Sequence, residues 1–188
     1  MIVEEKLTIT PNCAARTHEN DIRAVAEISQ KVGIPIECCT FIGSSPIRQY
    51  TEDWTLERML EHTRFASDFC RKEGLPQMYV TEDTTRAAPE TLKALYSTAI
   101  EHGARRACVC DTVGHAIPSG VNTLIKFIQK VVADTGVDGV KIDWHGHRDR
   151  DLDIANSIAA VEAGADRIHG AAIGLGERCG NTSMDLLL

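Results

Sequence analysis

KIDWHGHRDRDLDIA, residues 141–155, carries an alternating apolar run into a burst of charge and then into a segment with helical spacing. A strand sends alternate side chains to one face, so His145 and His147 project together from its end. Polar residues thus collect after the strand and before the helix, and that placement decides the fold. It recurs along the chain, at Arg16 and His18, Ser44 and Ser45, Glu82 and Asp83, Asp111 and Thr112, and Glu177 and Arg178.

Each of these pairs follows a short apolar run. The expected strands are LTITPNCA (7–14), IPIECCTFI (34–42), QMYVTED (77–83), 106–111, VDGVKIDWH (137–145) and DRIHGAAIG (166–174). Between them lie segments of helical period. Ile22, Val25, Ala26, Ser29 and Val32 share one face before Gly33, and Leu56, Met59, Leu60, Thr63 and Phe69 share another before Gly74. Pro89 suits the first turn of PETLKALYSTAIEHG, and further helices are expected from Ser119 to about Ala133 and around DIANSIAAVEAG.

Regular strand–helix alternation predicts a parallel sheet covered by helices, closed either as a doubly wound sheet or as a (β/α)8 barrel. No glycine-rich phosphate turn follows the first strand, and chemistry spread over many strand ends is how a barrel builds its site. The reading is a single-domain (β/α)8 TIM barrel over 1–188. It is incomplete, with about six β/α units, so that the first two strands and the C-terminal end are expected to be missing. The chain is accordingly expected to be a fragment or a truncated gene product.

The bulk numbers agree with one soluble domain: 188 residues, 43% hydrophobic and 25% charged. A formal charge of −7 argues against nucleic acid, whose backbone demands a basic surface. No apolar run approaches the ~20 residues of a membrane span, and MIVEEKLTIT does not resemble a secretory signal. The seven cysteines show no CxxC…CxxC spacing and sit mostly in apolar runs, predicting reduced thiols and a cytoplasmic protein.

Four stretches carry chemistry, and each has a plain structural alternative. HGH (145–147) is a metal-binding pair, or two histidines hydrogen-bonded to Asp143, Asp149 or Asp151. GLGERCGNTSMD (174–185) is a purely structural turn, which needs one or two glycines, or a ligand loop, in which three bracket Glu177, Arg178 and Asn181; Asn181 offers a carboxamide oxygen to a cation. CDTVGHAIP (110–118) taken alone reads as a plain turn into a helix. In VTEDTTRA (80–87), Glu82, Asp83 and Arg86 form an ion-paired loop or an acid–base group with its orienter.

In order, ED-x-[ST]-R, DTVG, H-x-H-x-D, A-x-E-A-G-A-[DR]-x-[IV] and G-x-GER-x-GN closely resemble the metal-dependent acyl-CoA synthases. These are the 2-isopropylmalate, homocitrate and citramalate synthases, within the metallolyase group on (β/α)8 barrels. The resemblance runs from about residue 36 to 188. It implies that His145, His147 and Asn181 bind a divalent cation (Mn, Zn, Co or Mg), that Thr112 and Arg178 bind substrate, and that Glu82 is catalytic. It implies acetyl-CoA and a 2-oxoacid as substrates, a homodimer, and a Claisen-type acyltransferase such as the 2-isopropylmalate synthase of leucine biosynthesis. Two alternatives stand beside it: a carbon–carbon lyase of the 3-hydroxy-3-methylglutaryl-CoA lyase group, or an inactive truncated barrel.

The sequence also departs from the family pattern. No D-x-T-x-R-D-G-x-Q-like segment supplies the family's aspartate ligand and arginine. Cys39 falls near the place of a family histidine, Arg148 stands where Asn is usual, and Asp153 where Gly is usual.

Overall fold

The computed structural model describes residues 1–188. Six strands, β1 (Asn12–Arg16), β2 (Glu37–Gly43), β3 (Gln77–Glu82), β4 (Arg106–Asp111), β5 (Lys141–Gly146) and β6 (Arg167–His169), alternate with helices. The helices are α1 (Glu19–Val32), α2 (Pro46–Thr51), α3 (Leu56–Lys72), α4 (Pro89–Glu101), α5 (Pro118–Asp134), α6 (Asp153–Glu162) and α7 (Met184–Leu187). All strand pairs are parallel, and their spatial order is their sequence order. A doubly wound sheet reverses its order at a switch point; this one does not.

The sheet also curls. Arg167 on β6 donates to Glu37 on β2 at 2.7 Å. In a flat sheet those strands would stand four spacings apart, roughly 19 Å, beyond the combined reach of the two side chains. Sequential parallel order and this curvature together make an incomplete (β/α)8 barrel, as the strand-end pattern predicts.

Alternation sorts each strand into two faces. Tyr79, Val109, Ile142 and Trp144 turn outward and pack under Leu92, Leu95, Tyr96, Ile125 and Ile128 of α4 and α5. Each fully buried aliphatic side chain there contributes about 1.5–3 kcal/mol. The inward positions hold Cys39, Met78, Cys108 and Cys110 and, beside them, a ring of charge. No helix is long and apolar enough to cross a membrane.

Local signals set most boundaries. Thr55 accepts from the Arg58 N–H to cap α3, Gly33 ends α1 in the left-handed region at φ 71°, and Pro89 opens α4. The first strand lies later than 7–14, because its sheet partner at Glu37 pairs with Asn12 rather than with the LTIT run. The six-residue α2, capped by Ser45, follows β2 where the sequence reading placed no helix. Leu56 and Val32, placed inward by periodicity, are exposed at helix ends.

Candidate metal centre

Asp143 and His145 alternate inward along β5, and His147 follows just beyond it. The two imidazole centroids are 5.1 Å apart at 85°, and their Nε2 atoms face each other at 3.3 Å. Burial, helped by neighbouring His169 and His147, pushes the His145 pKa down to about 3. Its ring is therefore neutral near pH 7, the state in which a nitrogen lone pair can bind a cation.

Asn181 arrives from the loop after β6. It forms an isolated antiparallel bridge with His147, flanked by hydrogen bonds from the Arg148 N–H to the Gly180 carbonyl (3.1 Å) and from the Thr182 N–H to the Gly146 carbonyl (3.3 Å). Asn181 Nδ2 donates to the Leu175 carbonyl at 3.2 Å, which orients the carboxamide. Its Oδ1 is buried without a hydrogen-bond partner, and so is His147 Nδ1. Gly176 leaves room for this arrangement, since a Cβ there would strike the Asn181 carboxamide. Arg148 donates to Ser183 Oγ at 3.3 Å and Asp153 accepts from the Ser183 N–H at 3.4 Å. Both departures from the family pattern thus hold the loop rather than the rings.

These donors fit a divalent cation. Two Nε2 atoms 3.3 Å apart would each reach one ion at about 2.1 Å with an angle of roughly 100° between them. A partnerless buried carboxamide oxygen is costly, and a cation would satisfy it. No three His, Cys, Asp or Glu side chains group as a metal set; beside the pair, Asn181 offers a carboxamide oxygen.

Glu82 ends β3, half-buried, with Arg48 Nη2 3.8 Å from its carboxylate. Its neighbour Asp83, at φ 63°, takes the ion-paired alternative: Arg86 reaches both its oxygens at 2.7 and 2.6 Å. Thr112 Oγ1 accepts from the Asp83 N–H at 2.8 Å, which leaves the Thr112 hydroxyl proton free to donate elsewhere. Arg178 donates to both oxygens of Asp149 at 2.7 and 2.9 Å and to the Thr112 carbonyl at 2.6 Å. It ties together the loops after β4, β5 and β6. Gly114, at φ 57°, lets two of those loops meet, since a Cβ there would stand 2.6 Å from the Asp149 nitrogen. Asp111 accepts from the His115 and Ala116 N–H groups at 3.1 Å, the turn role that its motif suggests.

The model of one protein family, HMGL-like, matches residues 1–188. The chain belongs to the HMGL-like family. Among curated relatives it is 35% identical to the 2-isopropylmalate synthase of Halothermothrix orenii, over 93% of this chain and 33% of that protein. It is 37% identical to the 2-isopropylmalate synthase of Aquifex aeolicus, over 91% and 32%, and 34% identical to homocitrate synthase AksA of Methanopyrus kandleri, over 98% and 44%. The chain thus spans about a third of the length of the 2-isopropylmalate synthases it matches. Among solved structures, the hydroxymethylglutaryl-CoA lyase of Pseudomonas aeruginosa superposes with a TM-score of 0.78 at 16% identity, covering 96% of this chain and 61% of that one. The carboxyl transferase domain of Rhizobium etli pyruvate carboxylase gives 0.72 at 19% identity, over 99% and 31%. At such identities the likeness speaks for the fold.

Within this HMGL-like barrel, sequence reasoning missed the layer below the histidines. Asp143, wholly buried, accepts from Arg106 Nη1 (2.6 Å), Arg167 Nε (2.6 Å) and His169 Nε2 (2.9 Å). The signal was the same two-residue period that singled out HGH: Asp143 shares a face with His145, and Arg167 with His169. Arg48, on the overlooked α2, is the other omission.

Proposed function

We propose that this chain carries the active-site end of a 2-isopropylmalate synthase-like acyltransferase, which condenses acetyl-CoA with a 2-oxoacid. The observation that carries the reading is the His145 Nε2–His147 Nε2 pair, 3.3 Å apart just past the end of β5, with Asn181 bridged to His147 and its Oδ1 buried without a partner. A divalent cation held there would chelate the oxoacid and polarise its carbonyl, which is worth several kcal/mol of charge stabilisation.

The chain's own residues have separate tasks. Thr112, fixed through the Asp83 N–H, offers its hydroxyl proton to the oxoacid carboxylate. Glu82, at the mouth and clear of the Asp83–Arg86 pair, carries a proton during the condensation. Arg178 borders the substrate site and holds its three loops in register. The relatives named as 2-isopropylmalate synthases support this choice of reaction.

A lyase is the second reading, and Cys179, a free, exposed thiol in the same loop as Asn181, is the residue through which it can be tested. The test mixes the chain with Mn or Zn, acetyl-CoA and 2-oxoisovalerate and follows release of the CoA thiol. Thiol release that needs both metal and oxoacid supports the synthase. Cleavage of a hydroxyacyl-CoA without oxoacid supports the lyase, and silence in both assays contradicts activity in the chain by itself.

A further inference from the structure

Histidines that bind metals ordinarily donate their second ring nitrogen to a carboxylate or carbonyl, which fixes the ring. Neither member of this pair does so: His147 Nδ1 is buried without a partner, and the one hydrogen bond of either ring is the contact between the two. Something else must hold them.

His169 is the register partner of His145 across β5 and β6. Its ring meets that of His145 at 5.4 Å and 63°, an edge-on contact. His169 is itself immobilised, because its Nε2 bonds Asp143 Oδ2 at 2.9 Å. Asp143 in turn is locked by two arginines at 2.6 Å, and Arg167 reaches on to Glu37 across the barrel. The chain of contacts runs from a rigid buried ion cluster, through one imidazole, to the ring whose Nε2 faces His147.

We propose that His169 is a positioning residue, whose Asp143-anchored ring packs against His145 and aims it at His147. Ring packing here replaces the missing hydrogen bond on the second nitrogen. The inference rests on the reading of His145 and His147 as metal donors, but the ring orientation itself can be measured without metal.

Three substitutions separate the possibilities. His169→Ala removes ring and hydrogen bond, His169→Gln keeps a donor toward Asp143 without the ring, and His169→Phe keeps the ring without the donor. Two readouts are taken on the 188-residue chain. The first is the NMR shift and relaxation of the His145 ring protons in metal-free protein; the second is Co(II) affinity, followed by the visible absorption of the bound ion. Unchanged circular dichroism establishes that each variant folds.

The expected result is a His145 ring that gains most mobility in His169→Ala and His169→Gln and less in His169→Phe, which keeps the packing ring but loses its Asp143 anchor. Co(II) affinity should fall by about 10–100-fold in the first two, the usual cost of losing a residue that orients a ligand. An immobile His145 ring in His169→Ala overturns the proposal, as does a His169→Phe variant that behaves like His169→Ala. If the parent chain fails to bind Co(II), the metal reading falls, while the metal-free ring dynamics still decide the role of His169.

Discussion

Asp143 Oδ1 accepts from Arg106 Nη1 and Asp143 Oδ2 from Arg167 Nε, both at 2.6 Å, with the carboxylate wholly shielded from solvent. Arg106 also approaches Glu37 at 3.3 Å and Arg167 reaches it at 2.7 Å, so two carboxylates and two guanidinium groups close a ring over β2, β4, β5 and β6. Asp143→Asn removes the buried charge from two arginines that are partly exposed and keep Glu37 as a partner. The cost is therefore below that of breaking a fully buried pair, about 1–3 kcal/mol, which urea unfolding followed by tryptophan fluorescence should report for this variant.

The same cluster sets a pH dependence. Burial works against the Asp143 carboxylate, but His169, Arg106 and Arg167 together outweigh it and hold its pKa below the ordinary carboxylate value. A depressed folded-state pKa adds stability that is complete above the unfolded value of about 3.9 and is lost as pH falls through the folded value. Stability measured from pH 6 downward should therefore decline below about pH 4, and Asp143→Asn should flatten that decline.

Thr112 sits between a backbone donor and the open mouth. Thr112→Val orphans the Asp83 N–H, at a cost of about 1–3 kcal/mol, and removes the hydroxyl assigned to the oxoacid carboxylate. The expected kinetic signature is a rise in KM for the 2-oxoacid larger than any change in KM for acetyl-CoA. Thr112→Ser should restore both stability and KM.

The thiols divide by environment. Cys13 and Cys179 are exposed, whereas Cys38, Cys39, Cys70, Cys108 and Cys110 are buried. Burial pushes the Cys39 pKa up to about 12, so it carries no thiolate at neutral pH. Ellman's reagent should label two thiols rapidly in native protein and the remaining five only on unfolding. Cys179→Ser should remove one fast equivalent and leave synthase turnover intact, while loss of hydroxyacyl-CoA cleavage in that variant would favour the lyase.

What the sequence made legible is what short-range chemistry writes. Thr55 and the apolar period mark α3 at Leu56–Lys72, and the run RACVCD marks β4 at Arg106–Asp111. The closeness of His145 and His147 follows from the period of a strand, and the union of His147 with Asn181 follows from the family motif. The charged ring was not legible, because Glu37 and Arg167 lie 130 residues apart. Alternation says that both face inward, but only the curvature of the sheet brings them together. α2 was overlooked although Ser45 and Pro46 form a proper helix start, since its six residues show too little apolar period to separate it from a turn. LTIT misled in the opposite direction: its apolar pattern is strand-like, but no neighbouring strand pairs with it.

Gly176→Ala offers a sharp local perturbation. Its added Cβ would displace the Asn181 carboxamide and leave the helix-covered core untouched. Co(II) binding should weaken, while the melting temperature should stay within a few degrees of the parent, a shift of about 1 kcal/mol or less.

The most direct test soaks crystals of the chain in a zinc salt and maps anomalous scattering at the zinc edge. The account predicts one peak about 2.0–2.1 Å from both His145 Nε2 and His147 Nε2, with Asn181 Oδ1 turned onto it. A map with no peak between the two rings, or with the Asn181 oxygen facing away from a zinc bound there, would contradict it.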